Sequence, residues 1–397
     1  MKVRTRFGVS AVVLGLVGLA VAGWGSTSGW GSTSSSGNSP SSSAAVPSSG
    51  LAAAAAFLKP RQNLKTLPYK IPATSPPVAR GKRVVVVLAG AGSLGGKEIA
   101  QGFQQAAKQL GWSSTVVDGQ FNTTVQTTAI ASAISEKANA IVLDAMNPAA
   151  VAGAVAQAAA QKIPVVSELN PVPTIAKLVP GVLADVSSGG IDGGMAEAAW
   201  VTVHSGGKAS IIFYTDPTLA LTDARTQGFL TGIREFCPRC KILTRFTLDE
   251  ATMSTALPVQ MAADIRRFGN NFSSKNPLYV VAPHDVGGLS MEQGIVDAHA
   301  TSKVVMVSID ALPQVLTQIR KGGIIKADWV QAFPWLGWDT ADQLNRIFNH
   351  EPQSSYQGSD YVVQEMMLDA QHINPSGAWT PQFNYQAAYR SLWKVGS

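Results

Sequence analysis

The sequence predicts a parallel α/β protein, and three observations carry that expectation. Short apolar runs alternate with helical stripes over roughly 250 residues from Val84 onward. One of them, Ala140-Ile141-Val142-Leu143, is apolar throughout, which suits a parallel strand buried on both faces. The stretch from Lys137 to Ser167, KANAIVLDAMNPAAVAGAVAQAAAQKIPVVS, reads as strand, loop, helix, strand. There Asn147 can cap the helix, and Pro148 sits at its first position, where the missing N–H costs nothing. Val151, Val155 and Ala158/Ala159 recur at helical spacing. Lys162 ends the helix, and Pro164 within Ile163–Val166 excludes a helical residue before it.

Taken in order, residues 1–22 have the build of a secretory signal: Lys2, Arg4 and Arg6, the apolar run Phe7–Ala22, and the small residues Ala20-Val21-Ala22 for cleavage. That run is short for a membrane span, which needs about 20 residues. Residues 23–82 are low-complexity, Ser/Gly/Thr-rich, then Ala-rich at 52–56, then Pro-rich through Pro77. Such composition buries little apolar surface, so a loosely attached stalk is expected. The strands expected thereafter are Val84–Leu88, Ser114–Val117, 140–143, 163–166, Val182–Asp185, Ser210–Tyr214, Lys241–Phe246, Tyr279–Ala282, Val304–Ser308, Ile324–Asp328 and Tyr361–Val363. Helices are expected between them, among them Ile99–Leu110, Ser188–His204, Leu219–Phe236, Leu257–Phe268, Val286–Ala298, Leu312–Lys321 and Leu336–Phe348.

The formal charge of +6 invites an anionic partner, but its position argues otherwise. Ten of the 31 Lys and Arg precede Val84 and none of the 25 Asp and Glu does, leaving 21 basic against 25 acidic residues, a balance of −4. That is no nucleic-acid footprint.

Gly90-Ala91-Gly92-Ser93-Leu94-Gly95 is a formal GxGxxG after the first strand, with Asp118 closing the second. It fits a dinucleotide loop, with the glycines under a pyrophosphate and the acid on a ribose, and so an exported NAD(P)-dependent oxidoreductase. It equally fits a loop whose backbone N–H groups face a polar ligand at a helix N-terminus. The only thiols, Cys237 and Cys240, follow a helix and precede a strand, the reverse of a redox CxxC. In an exported chain they read as a structural disulfide. No His or carboxylate pair shows metal-ligand spacing, so neither a metal nor a cofactor is expected.

The unit NAIVLDAMNPAAVAGAVAQAAAQKIPVV resembles the second βαβ unit of ribose-type periplasmic sugar-binding proteins, the receptors of bacterial ABC importers, and the likeness extends over residues 83–397. The resemblance implies two interleaved Rossmann-like lobes, 83–187 with 332–358 and 188–331 with 359–397, closing by a hinge on a sugar or similar small polar solute. It implies a monomer outside the cytoplasmic membrane, non-enzymatic, partnered by a permease. Val21-Ala22-Gly23 would match a lipoprotein box if residue 24 were Cys, but Trp24 has no thiol to lipidate. Carried over by motif, the pocket comprises Ser93 in the first loop, Asp144, Asn170 (or Glu168 beside it), Arg225 forking onto ligand oxygens, His284 with Asp285 capping the next helix, Asp310, and Gln331. Gly95 and Gly96 stand where relatives carry stacking aromatics. Trp329, Phe333, Trp335 and Trp338 cluster near the last crossover, and one or two of them, Trp329 and Trp335 foremost, with Tyr214, are the expected replacements. Asp144 and Asp310 equally suit strand closure or helix capping, and Arg225 a surface ion pair.

Overall fold

Two sheets organise the residues that this computed structural model describes: 48–171, 175–217, 219–248, 250, 252–351 and 361–396. The expected signal at 1–22, Trp24 and residues 352–358 fall wholly or in part outside them. Upstream of both sheets lies α1 (Ser48–Arg61). The first lobe then runs β1 (Arg83–Leu88), α2 (Leu94–Leu110), β2 (Ser113–Asp118), α3 (Thr123–Ser135), β3 (Ala140–Asp144), α4 (Ala152–Ala160), β4 (Val165–Glu168) and β5 (Val182–Val186). Its strands lie parallel in the order β2-β1-β3-β4-β5.

The second lobe contains α5 (Gly190–His204), β6 (Ser210–Thr215), α6 (Ala220–Phe236), β7 (Lys241–Thr247), α7 (Met253–Phe268) and β8 (Leu278–Val281). It continues through α8 (Asp285–Asp297), β9 (Val304–Ile309), α9 (Pro313–Lys321) and β10 (Ile325–Gln331). The chain returns to the first lobe as α10 (Phe333–Phe348), re-enters the second sheet as β11 (Glu365–Asp369), and ends in α11 (Tyr385–Trp393). The second sheet has the order β11-β10-β9-β8-β6-β7, with only β11 antiparallel.

Local sequence accounts for these elements. β3 is buried at every position, and β1 at all but its first. In α2 the Ser93 hydroxyl accepts from the Gly96 N–H, Gly111 closes the helix at φ 71°, and Ile99, Phe103 and Leu110 form the buried stripe. The side chain of Asn147 accepts from the Ala149 N–H, as expected, but the turn it caps is a short 3-10 segment, Pro148–Val151, ahead of α4. α2 and α10 cross so closely that a Cβ on Gly102 would stand 2.0 Å from the Pro334 carbonyl oxygen.

Four expectations change. From Ser48 the low-complexity segment is packed rather than loose. Its alanines favour helix, and Ala54 and Leu58 are buried in a cluster with Ala198, Trp200 and Phe236. Arg61 pairs with Asp192 at 2.9 Å, Lys70 bridges Val362, and the Ala79 N–H donates to Asn345 Oδ1 at 2.9 Å on α10, so the segment runs from the second lobe to the first. Second, α11 packs on α10 rather than on the second lobe. Its aromatic stripe is the cause: Trp393 stacks on Trp338 with centroids 5.4 Å apart, and its Nε1–H donates to Asp342 at 2.7 Å. Third, Tyr361–Val363 forms only the Lys70–Val362 bridge, because the Tyr361 hydroxyl is held by Asp342 at 2.8 Å; the last strand is β11. Fourth, α10 starts at Phe333, three residues earlier than expected, since Pro334 suits a first helical turn.

Cys237 and Cys240 form a disulfide between α6 and β7, where the Ala209 N–H donates to Cys240 Sγ. Among the described residues no helix is long and apolar enough to cross a membrane.

Candidate functional site

Parallel strands deliver their following residues to one end of a sheet, and the C-terminal ends of both sheets meet at a cavity between the lobes. From the first lobe come the Gly92–Gly95 turn, Phe121 after β2, Ala145 after β3, Leu169 after β4, and Phe333 at the start of α10. The second lobe contributes Leu219, Leu221, Thr222 and Arg225 around the start of α6, then Glu250, His284, Val286 and Asp310. Four of these non-glycine residues hold positive φ: Phe121 at 50°, Ala145 at 54°, Leu169 at 58° and Asp310 at 135°. Such backbone costs about 1–3 kcal/mol per residue and clusters where a site must aim its side chains.

Arg225 is the polar centre of the second-lobe wall. It is buried, and its guanidinium donates to the Pro283 carbonyl at 3.0 Å, to Asp310 Oδ1 at 2.7 Å and to Gln331 Oε1 at 2.9 Å, tying together the ends of β8, β9 and β10. Only its Nε lacks a partner. Gln331 in turn donates to Ser188 at 2.9 Å and to Glu365 at 3.1 Å, so it sits at the crossovers between lobes.

His284 lies 2.7 Å from Glu250 through Nε2, while its Nδ1 accepts the Gly287 N–H at 3.1 Å and caps α8. Asp285, the expected cap, instead accepts the Leu312 N–H at 2.7 Å. Burial lowers the His284 pKa, but the bond and charge of Glu250 outweigh it and the net shift is upward. The capping bond opposes that shift, since it needs Nδ1 unprotonated. The geometry therefore describes a ring that carries its proton on Nε2 and donates to a Glu250 carboxylate. Burial raises Glu250, yet the His284 bond carries it below its ordinary value.

On the first-lobe side the β3–β4 register sets Asp144 beside Glu168. Both are fully buried, and neither oxygen of Asp144 has a partner among the described residues. Burial, then the Glu168 charge, holds Asp144 well above the carboxylate range. Burial pushes Glu168 up to about 8 against its bond from Thr340. Asn170 donates to the Met146 and Glu168 carbonyls, both at 2.9 Å, and so locks the loops after β3 and β4.

Of the sequence-predicted residues, Ser93, Arg225, His284 and Asp310 line the cavity. Asp144 and Asn170 lie behind the first-lobe wall, and Gln331 lies at the crossover. Tyr214, Trp329 and Trp335 do not line it. Tyr214 is buried with its hydroxyl on Asp264 at 2.7 Å, Trp329 packs against Gly193 of α5, and Trp335 stacks on Tyr385 at 5.0 Å. Large rings at strand and helix interiors went to the cores. The aromatics that do line the cavity are Phe333, from the ring cluster near the last crossover, and Phe121, which no spacing marked.

Those two rings also account for the glycine motif. A Cβ on Gly90 would stand 2.5 Å from the Phe121 ring, one on Gly92 3.0 Å from it, and one on Gly95 3.0 Å from the Phe333 ring. The glycines thus make room for side chains of the same chain, where a dinucleotide loop would admit a pyrophosphate. Asp118 Oδ1 accepts the N–H groups of Ala91 at 2.8 Å and Gln120 at 2.9 Å, so it pins this turn. Asp216, Glu250 and His284 bring ligand-type atoms within 4.8 Å of one another. Both nitrogens of His284 are engaged by protein, which fits a hydrogen-bonded cluster better than a metal centre.

The model of the periplasmic binding protein domain matches residues 84–352, more than half of the chain. This chain belongs to the periplasmic binding protein family. No curated protein matches it by sequence. Solved structures of periplasmic binding proteins share its fold at low identity. The myo-inositol binding protein of Caulobacter is 19% identical, with TM-score 0.63 over 75% of this chain and 96% of that one. An ABC transporter solute-binding protein of Agrobacterium vitis with bound allitol is 17% identical, with TM-score 0.63 over 74% and 96%. An ABC sugar transporter subunit of Rhodobacter sphaeroides is 14% identical, with TM-score 0.64 over 74% and 99%. The family match spans both sheets except β11; α1 and the segment that follows it precede the match.

Proposed function

We propose that this chain is the solute-binding component of an ABC importer, taking a sugar or similar small polar solute between its lobes and presenting it to a permease. One observation carries the proposal: in a periplasmic binding protein, a cavity at the C-terminal ends of both sheets draws its walls from both lobes. A solute that touches both walls at once favours the closed arrangement, which is a population shift rather than a chemical step. The crossovers at 187–189, at Ala332 and near 361–364 are the hinge, with Gln331, Ser188 and Glu365 bonded across it.

Several finer statements rest on the same reading. The chain binds its solute without transforming it and acts as a monomer. Residues 1–22 direct export, and the periplasm or the outer face of the cytoplasmic membrane is its place of work. Arg225 and Gln331 position Asp310, which contacts the solute together with Ser93 and His284. Asp144 and Asn170 shape the first-lobe wall from behind.

Spin labels on α3 and α7, one per lobe, test the proposal by the distance between them. The reading expects a narrower, shorter distribution once solute is added. A distribution indifferent to every solute that binds would overturn hinge closure.

A further inference from the structure

The two walls of the cleft differ in chemistry. Leu94, Phe121, Ala145, Leu169 and Phe333 make up the first-lobe wall, and its one polar side chain, Ser93, accepts the Gly96 N–H and so offers that wall a single O–H. No charged side chain lines the cavity from that side. The second-lobe wall is polar, but all of its side-chain donors save the buried Arg225 Nε are committed to the protein. Arg225 gives its terminal nitrogens to Pro283, Asp310 and Gln331, and His284 gives Nε2–H to Glu250. Beside the one unpartnered donor, the buried Arg225 Nε, what remains there is acceptor: Asp310 engages Arg225 through Oδ1 alone, leaving Oδ2. Glu98, one turn into α2, is a further carboxyl that feels the charge of Asp310, and burial followed by that charge pushes it up to about 7. The cleft therefore asks a ligand for hydrogen-bond donors on one side and for apolar surface on the other.

We infer that the cleft selects a small ring compound with an apolar face toward Phe121 and Phe333 and hydroxyl donors along the edge toward Asp310, a hydroxylated aromatic or alicyclic, in preference to a free hexose or open-chain polyol. This rests on the solute-binding reading above. A hexose carries hydroxyls around its whole rim, so some would be desolvated against the first-lobe wall with no partner. Each hydroxyl stranded in this way costs roughly tenfold in affinity. A ring face between Phe121 and Phe333 gains dispersion and stacking instead. A carboxylate fails on the other side, where it would meet Asp310 and Glu250.

The test is titration calorimetry on the intact chain with catechol and cis-1,2-cyclohexanediol, against myo-inositol and D-allose, with benzoate as the anionic control. Catechol or the diol is expected to bind at least about tenfold tighter than either sugar-like compound, with no heat from benzoate. Phe121→Ala is expected to weaken the catechol by a further factor of about ten. Phe121 is half-buried, so this variant folds, and its melting temperature checks that. Tighter binding of D-allose or myo-inositol that is lost in Asp310→Asn would overturn the inference while leaving the solute-binding reading intact. Catechol binding indifferent to Phe121→Ala would also overturn it. Silence from catechol and the diol alike would overturn the inference while leaving the solute-binding reading to the spin-label distance.

Discussion

The ring of Phe121 occupies the space that a side chain at Gly90 would need, its Cδ2 lying 2.5 Å from where a Cβ there would stand. Phe121 holds φ at 50°, a conformation that costs a non-glycine residue about 1–2 kcal/mol, and its N–H donates to the Ala89 carbonyl at 2.7 Å. A strained backbone and an absent side chain thus combine to lay one aromatic ring over the first loop. Gly90→Ala is expected to displace that ring and to cost about 1–3 kcal/mol, as overpacking does. Adding Phe121→Ala should recover most of the loss in urea denaturation, because the clash has then lost one partner.

Arg225 joins three strand ends through one buried guanidinium. Arg225→Leu keeps the bulk but strands Asp310 and Gln331. Removing one member of such a buried pair costs about 3–5 kcal/mol, and the partial exposure of Asp310 places the expectation near the lower figure. Chemical denaturation measures it. A cost below about 1 kcal/mol would mean that the pair behaves like an exposed one.

Stability should fall as pH rises. Burial pushes Glu168, Asp285 and Glu365 up to about 8 and Asp185 up to about 7. Unfolded, these groups ionise near pH 4. Between about pH 4 and 8 the folded chain therefore holds more protons than the unfolded one, and their contribution is complete below that window and lost as pH climbs through it. Glu168→Gln keeps the acceptor for Thr340 but cannot ionise. Its melting temperature should match the parent near pH 5 and exceed it near pH 8.5. A melting curve that rises with pH in the parent would contradict this.

Leu58 of α1 is 4% exposed, buried on the second lobe. Leu58→Ala is expected to destabilise the chain by about 2–4 kcal/mol, the usual range for a buried leucine. No loss in thermal unfolding would mean that α1 is not part of the cooperative unit.

The sheets were legible because central strands such as β1, β3, β8 and β9 are apolar runs, and the 137–167 unit carries its own cap, stripe and stop. The docking of α1 and α11 was not, since the Ala-rich α1 carries no marked apolar stripe and the amphipathic α11 does not say which lobe it covers. Trp393 chose α10 only through Trp338 and Asp342, contacts made by residues about 50 positions away. Among the site residues, Asp310 and His284 could be placed because they follow strands. Phe121 could not, because a positive φ after β2 decides where its ring points, and Phe333 stood out from the tryptophans beside it only through the helix start at α10. Tyr214, Trp329 and Trp335 were expected to stack on a ligand, but each sits inside an element whose neighbours bury it. Glu250 carried no sequence signal at all, as it follows β7 in a turn and is defined only by its partner His284.

The central claim is that a small solute binds between the lobes. A thermal-shift panel of sugars, polyols, nucleosides, hydroxylated aromatics and NAD(P), run on the parent and on Asp310→Asn, tests it most directly. At 100 times its dissociation constant a ligand adds about 2.7 kcal/mol, a shift easily read. The account predicts stabilisation by one small-solute class, abolished in Asp310→Asn, and none by NAD(P). Stabilisation by NAD(P) alone, or by a solute equally effective in Asp310→Asn, would contradict it.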